Sequence, residues 1–176
     1  MSTSHTLLIR PEQSADALAI ADINDRAFGG SDESKLVDAI RRSGHPVISL
    51  VAEIADVSVG HILFSPVTID VPDPPVAALG LAPMAVLPEH QRQGIGSQLV
   101  DAGLIECRQR GCEVVIVLGH TEFYPRFGFR PARLLGLQSE YSDAGDAFMA
   151  IELKEGVLAG RTGLARYLPE FASIGD

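Results

Sequence analysis

A strand, a glycine turn, a helix and a second strand follow one another between residues 77 and 118, and this run leaves the chain few folds to choose from. Ala77–Leu87 is apolar and stops at Pro88, which cannot donate to a central ladder. Gly94–Arg110 then has the 3.6-residue period of an amphipathic helix: Ile95, Gly96, Leu99, Val100, Ala102, Gly103 and Cys107 share one broad face, with Gln98, Asp101, Arg108 and Gln109 outside it. Gly111 ends that helix, and Glu113–Leu118, a Val/Ile run, reads as a strand buried on both faces. Two strands joined through a helix run parallel in one sheet, so the chain is an α/β protein built around a crossover.

The flanking sequence adds antiparallel pieces. Thr6–Arg10 is a short strand, and Pro11-Glu12 opens a helix running to about Phe28. Ser31 and Ser34 are placed to cap a second helix over Glu33–Arg42. Val47–Glu53 and Val59–Ile69 are rich in β-branched residues and read as a hairpin turning at Ala55-Asp56. Pro72, Pro74 and Pro75 form a loop. Beyond the crossover come a short helix near Glu122–Arg126, a strand around Phe129–Pro131, a polar loop over Gln138–Asp146 and a last strand over Phe148–Leu153, while residues 155–176 have no strong periodicity. At 176 residues the chain has the length of one domain, since a domain takes about 100–200. We expect that domain over residues 1–155, with 156–176 as a C-terminal extension packing on it.

Composition narrows the chemistry. Fourteen Lys and Arg against 23 Asp and Glu give a net charge of −9, which repels a polyphosphate backbone and argues against nucleic acid as a partner. Two cysteines, Cys107 and Cys112, are too few for a disulfide scaffold, and no metal-ligand spacing is visible. The N-terminus lacks the pattern of a targeting segment, and no apolar run reaches the roughly 18 residues of a membrane span. These features point to a reduced, cytoplasmic setting.

The turn Gln91-Arg92-Gln93-Gly94-Ile95-Gly96-Ser97 sits where a strand hands over to a helix N-terminus, a place rich in unpartnered N–H groups and favourable to an anion. A dinucleotide fingerprint would need a third glycine where Leu99 stands, and a phosphate loop would need a lysine after the glycines. Both readings fail, leaving an anion site or glycines kept for close helix packing. The spacing [QR]-x-x-G-x-[GA] after a strand ending in Ala-Val-x-Pro resembles the acyl-CoA pyrophosphate site of the GNAT family of N-acetyltransferases. Phe123-Tyr124-Pro125-Arg126-Phe127-Gly128-Phe129 is similar to that family's Y-x-x-x-G-F segment, although an aromatic cluster alone more often serves a core. The resemblance covers roughly residues 5–155 and extends to the YhbS-like branch, whose stretches are similar in kind to Gly60–Pro66, Ala82–Val86, Leu118-Gly119 and Gly163–Tyr167.

The resemblance implies a mixed, mostly antiparallel sheet, splayed between its two parallel strands to admit the pantetheine arm and flanked by helices. It implies transfer of an acetyl group from the co-substrate acetyl-CoA to an amine, by direct attack in a ternary complex. Met84, Ala85 and Val86 would offer backbone groups to the pantetheine, the Val86 amide polarising the thioester, and Arg92–Ser97 would hold the pyrophosphate with Gln91 opening the motif. Tyr124 matches the position of the family's general acid. A lysine-like amine is neutral in only about one molecule in 2,500 at pH 7, so a base is required. Ala77–Leu87 has no carboxylate where the family often places one, which leaves His120 and Glu122 as candidates and Glu53 and His61 as weaker ones. The missing carboxylate keeps open a non-catalytic, acyl-CoA-binding regulatory module. The acceptor and the oligomeric state, a homodimer included, are not written in the sequence.

Overall fold

The computed structural model describes residues 5–141 and 143–173; position 142, inside the expected polar loop, and the two chain ends lie outside it. In chain order the elements are β1 (Leu7–Pro11), α1 (Ala17–Phe28), α2 (Asp32–Ser43), β2 (Ile48–Ile54), β3 (Val57–Asp70), β4 (Ala78–Val86), α3 (Ile95–Gln109), β5 (Val114–Leu118), β6 (Arg130–Pro131), β7 (Leu137–Ser139), β8 (Phe148–Glu152) and β9 (Gly163–Arg166). The strands join in the order β1-β2-β3-β4-β5-β8-β6, with β9 beside β3 and β7 beside β9. The crossover is parallel as expected, in register from Ala78↔Val114 to Leu81↔Val117, and β4 continues to Val86 past its last partner on β5. A second parallel pair joins β7 to β9, and the pairs β1–β2, β2–β3, β3–β9, β5–β8 and β6–β8 are antiparallel. The result is the mixed, mostly antiparallel α/β architecture that the resemblance implies.

The chain divides into two compact units, with β3, β4 and α3 each running from one into the other. The first holds Met1–Phe64, Pro83–Leu104 and Glu170–Asp176. Here α1 and α2 pack together and bury Ile20, Ile23, Leu36, Val37 and Ile40. The β2–β3 hairpin turns on Ala55 and Asp56, at φ 50° and 63°, the left-handed pair a two-residue turn requires. The apolar face of α3 reaches β3 through two glycines: Leu99 and Ile95 lie over Gly60, and Gly103 lies against the Phe64 ring. A methyl group at either position would meet those side chains, so both glycines are there for close approach.

Two expectations are corrected in this unit. Helix α1 begins at Ala17, not at Pro11-Glu12, because Pro11 closes β1 and residues 14–16 form a separate 3-10 turn. Asp16 draws the chain into that turn, accepting from the Gln13 N–H at 2.6 Å and from the Arg10 guanidinium at 2.7 and 2.8 Å. Ser31 makes no capping bond through its side chain; Ser34 instead donates to the Asp25 carboxylate at 2.5 Å.

The second unit holds Ser65–Ala82 and Ile105–Pro169. Val114 and Ile116 of β5 pack with Val67, Ile69, Leu137, Phe148, Ala150 and Ala165 in one hydrophobic cluster on one face of the strand, while Val115 and Val117 on its other face are buried as well. The sequence gives no sign of β7 or β9. The strand Gly163-Leu164-Ala165-Arg166 has neither alternation nor β-branched residues, and its neighbours impose its extended form. Gly163 fits because its missing side chain leaves room for the Asp70 carbonyl.

Candidate active site

In the first unit, β4 ends with Met84, Ala85 and Val86, and the chain then turns through residues 88–90, Leu87 donating its N–H to the Val59 carbonyl at 2.9 Å. The Gln91 side chain reaches back and donates to the Val86 carbonyl at 2.9 Å, so the first residue of the glycine motif ties the turn to the end of the strand. Arg92 and Gly94 then both adopt left-handed backbone, at φ 61° and 81°. The first helical hydrogen bond of α3 runs from the Gln98 N–H to the Gly94 carbonyl at 3.1 Å. The N–H groups of Ile95, Gly96 and Ser97 precede it, where a helix has no acceptors of its own.

This turn is open. Arg92, Gln93 and Gly94 are exposed, and a Cβ at Gly94 would meet nothing within 4 Å. Gln93 donates to the Glu89 carbonyl at 3.3 Å, and Glu89 pairs with Arg26 at 2.8 Å. Among the described residues, Arg92 joins no ion pair. Free amides at the positive end of a 15-residue helix, beside an unpaired guanidinium, form a receptor for an anionic group.

In the second unit, β5 ends at Leu118, the Gly119 N–H donates to the Ala147 carbonyl at 3.0 Å, and the His120 carbonyl accepts from the Phe123 N–H at 3.2 Å. Tyr124 opens a 3-10 turn that Gly128 ends in left-handed backbone at φ 99°. Its ring is 6% exposed and meets Phe123 and Phe129 edge-to-face, at centroid distances of 5.0 and 5.6 Å. Each such pair contributes about 0.5–1.5 kcal/mol beyond its buried area. Burial alone pushes the Tyr124 phenol up to about 12, so it keeps its proton throughout the physiological range.

The candidate bases fall into two groups. His120 and Glu122, on the turn leading to Tyr124, both have exposed side chains. Glu53 and His61, in the first unit, are tied up in structure. Glu53 accepts from Arg10 Nε at 2.9 Å, and the same guanidinium holds Asp16 down at about 2. His61 is fully buried, with Nδ1 3.3 Å from Asn24 Nδ2 and Nε2 2.9 Å from Ser49 Oγ. Desolvation pulls it down to about 3, so it is neutral and closed to solvent.

Sequence reasoning named Gln91 as the start of the motif, but its bond to the end of the strand is visible only in three dimensions; it missed one contributor. Gly119 makes room for the tyrosine: a Cβ there would collide with the ring edge, with Tyr124 Cδ2 at 3.0 Å. A glycine at a strand end gives no sign of which side chain needs the space.

The family model for the acetyltransferase (GNAT) domain matches residues 8–132. The uncharacterized N-acetyltransferase YjhQ of Escherichia coli K12 is 40% identical over 132 residues, covering 73% of this chain and 72% of that protein. Escherichia coli YhbS, also an uncharacterized N-acetyltransferase, is 36% identical over 166 residues, 94% of this chain and 98% of its own. The crystal structure of YhbS in complex with CoA matches with a TM-score of 0.91 at 32% identity, covering 99% of this chain and 97% of that one. A GNAT family acetyltransferase from Brucella melitensis in complex with acetyl-CoA matches with a TM-score of 0.79 at 31% identity, over 95% of this chain and 99% of that one.

Proposed function

The chain belongs to the acetyltransferase (GNAT) family, and from that membership we propose that it moves the acetyl group of acetyl-CoA to an amine of a small molecule or protein, by direct attack in a ternary complex. The observation that carries the co-substrate is the open turn Arg92–Ser97, with its free helix-start amides and unpaired cation. Two similar structures hold CoA and acetyl-CoA, which supports the same ligand here.

In this reading the Arg92–Ser97 backbone and the Arg92 guanidinium hold the pyrophosphate, and Gln91 fixes that turn against β4. Met84, Ala85 and Val86 give backbone contacts to the pantetheine, and the Val86 N–H draws charge onto the thioester oxygen as the amine adds. Tyr124 donates a hydrogen bond to the sulfur as the C–S bond breaks. A phenol near 12 facing a thiol near 8.5 makes complete proton transfer uphill, so the hydrogen bond is the larger part of its role. His120 or Glu122 takes the amine proton, directly or through water. Both are exposed on the turn before Tyr124, whereas Glu53 and His61 are held by Arg10 and by burial. Two reduced, buried thiols suit a cytoplasmic enzyme.

One observation favours a second reading: β4 carries no carboxylate, as a chain that binds acyl-CoA without catalysing transfer could also lack one. Calorimetric titration with acetyl-CoA, followed by CoA release across a panel of amines, separates the two. Gly94→Glu serves as the control, because its side chain enters open space and places a carboxylate beside the helix-start amides. The expected result is saturable binding that the variant abolishes, and CoA release with at least one amine. An intact chain that does not bind acetyl-CoA overturns both readings, and binding without release on any amine favours the second.

A further inference from the structure

The last turn of α3 ends in a hydrogen-bonding pattern that brings two particular side chains together. The Gly111 N–H donates to the Arg108 carbonyl at 3.1 Å, the Cys112 N–H donates to the Cys107 carbonyl at 3.0 Å, and Gly111 is left-handed at φ 79°. This is the Schellman ending, in which the residue beyond the glycine folds back on the last helical turn and the two side chains touch, usually as an apolar contact. In this protein both positions are cysteine.

The backbone bond between Cys107 and Cys112 caps their Cα separation at about 7 Å with standard bond lengths, inside the limit beyond which two cysteines cannot be bridged. The thiols already hydrogen-bond to each other, and Cys112 Sγ also donates to the Val114 carbonyl at 3.1 Å. Both thiols are free and both are buried, Cys107 completely and Cys112 to 9% exposure, so an oxidant reaches Cys112 first. The bond from the Cys107 S–H favours ionisation of Cys112, and sharing its proton pushes Cys107 up. A single buried cysteine would be an inert core residue. Two in mutual contact, with Cys112 nearer the surface, make a dithiol in which an oxidant meets Cys112 first and Cys107 stands ready behind it.

We propose that Cys107 and Cys112 form a reversible disulfide site, closed by a hydroperoxide and reopened by a small thiol. The Cys112 thiolate attacks the peroxide, breaking the O–O bond to give a sulfenic acid and releasing an alcohol or water. The Cys107 sulfur then displaces the hydroxyl group from the sulfenyl sulfur, forming the S–S bond and releasing water. Two thiols and one peroxide thus give one disulfide, one alcohol or water, and one water. The bond fastens the last turn of α3 to the segment entering β5. It rests on no assumption about the acetyl transfer.

The test uses the full chain under native conditions, treated with hydrogen peroxide, denatured with an alkylating reagent and weighed intact. The expected product has lost two hydrogens and takes up no alkyl group, and dithiothreitol restores both alkylation sites. Tryptic digestion links the peptide ending at Arg108 to the one beginning at Gly111. In Cys107→Ser the second step is blocked, so dimedone traps a sulfenic acid at Cys112; in Cys112→Ser, Cys107 does not react. Stepwise oxygen addition without loss of two hydrogens, a disulfide between two chains, or thiols that remain unreacted while a reference thiol peptide oxidises fully would each overturn the proposal. The measurement on the intact chain decides even if either serine variant fails to fold.

Discussion

Gly94 and Gly119 each stand beside a residue proposed to act in acetyl transfer, and they are glycine for opposite reasons. Around Gly94 the space is empty and the backbone is unusual: φ is 81°, and a side chain would meet nothing within 4 Å. Around Gly119 it is the space that is taken, because a Cβ would run into the Tyr124 ring. The turn proposed to hold the cofactor is thus defined by the direction of its amides and stands open, whereas the tyrosine is defined by the room left for it and is closed in by Phe123, Phe129 and Gly119. Substitutions in the first region should alter binding, and substitutions in the second should alter turnover.

The largest effect is expected at the tyrosine itself. Tyr124→Phe keeps the ring and its aromatic contacts while removing the donor, so kcat should fall by about 10²–10³-fold with little change in acetyl-CoA affinity. The pH profile sharpens this. With the phenol pushed up to about 12, its donor form persists to high pH, and kcat should show no alkaline loss from Tyr124 below about pH 11. The folded state holds this proton more tightly than the unfolded chain, whose phenol titrates at 10. Its contribution to stability is therefore complete below pH 10 and lost between 10 and about 12, and the Phe variant should lack that loss in thermal melts. Unchanged turnover in Tyr124→Phe would remove the residue from the mechanism.

Gly119→Ala should come next. An added methyl displaces the ring without touching the hydroxyl, and small misplacements of a catalytic group cost about 10–100-fold. Turnover should fall by that order while calorimetry with acetyl-CoA is unaffected. In the Tyr124→Phe background the same change should add almost nothing, since it acts through the hydroxyl that is already gone. Losses that multiply in the double variant would mean that Gly119 serves folding rather than the tyrosine.

The contrast also explains what could be read from the sequence. The crossover was legible because local rules govern it: an apolar run, a glycine turn, a 3.6-residue face and a Val/Ile run each announce themselves within a few residues. The placement of Gln91–Ser97 at a helix start follows from the same rules, since glycine and position suffice. Gly119 was opaque because its reason lies in the Tyr124 ring, and strand β9 because Gly163–Arg166 is extended only by virtue of β3 and β7 beside it. The early start expected for α1 failed for a similar reason, since Arg10 and Gln13 bind Asp16 into a separate turn before the helix begins. His61 shows the converse: its residue type suggests a base, and only its burial between Asn24 and Ser49 marks it as structural.

The smallest predicted effect tests the open region most closely, because it moves stability and function in opposite directions. Arg92 holds φ 61°, a conformation that costs a long side chain about 1 kcal/mol and that asparagine adopts far more readily. Arg92→Asn should therefore relieve the backbone and raise the melting temperature by about 1–3 °C. It also removes the cation from a turn in a chain of net charge −9, and the loss of one charge-assisted contact to a phosphate is worth about tenfold in affinity. Added salt should narrow the difference between the two proteins, since the lost contact lies in solvent. A turn strained only by packing would gain stability and keep its affinity. If acetyl-CoA binds the variant as tightly as the intact chain, the pyrophosphate is held by the helix-start amides alone, and the left-handed arginine has no part in holding the cofactor.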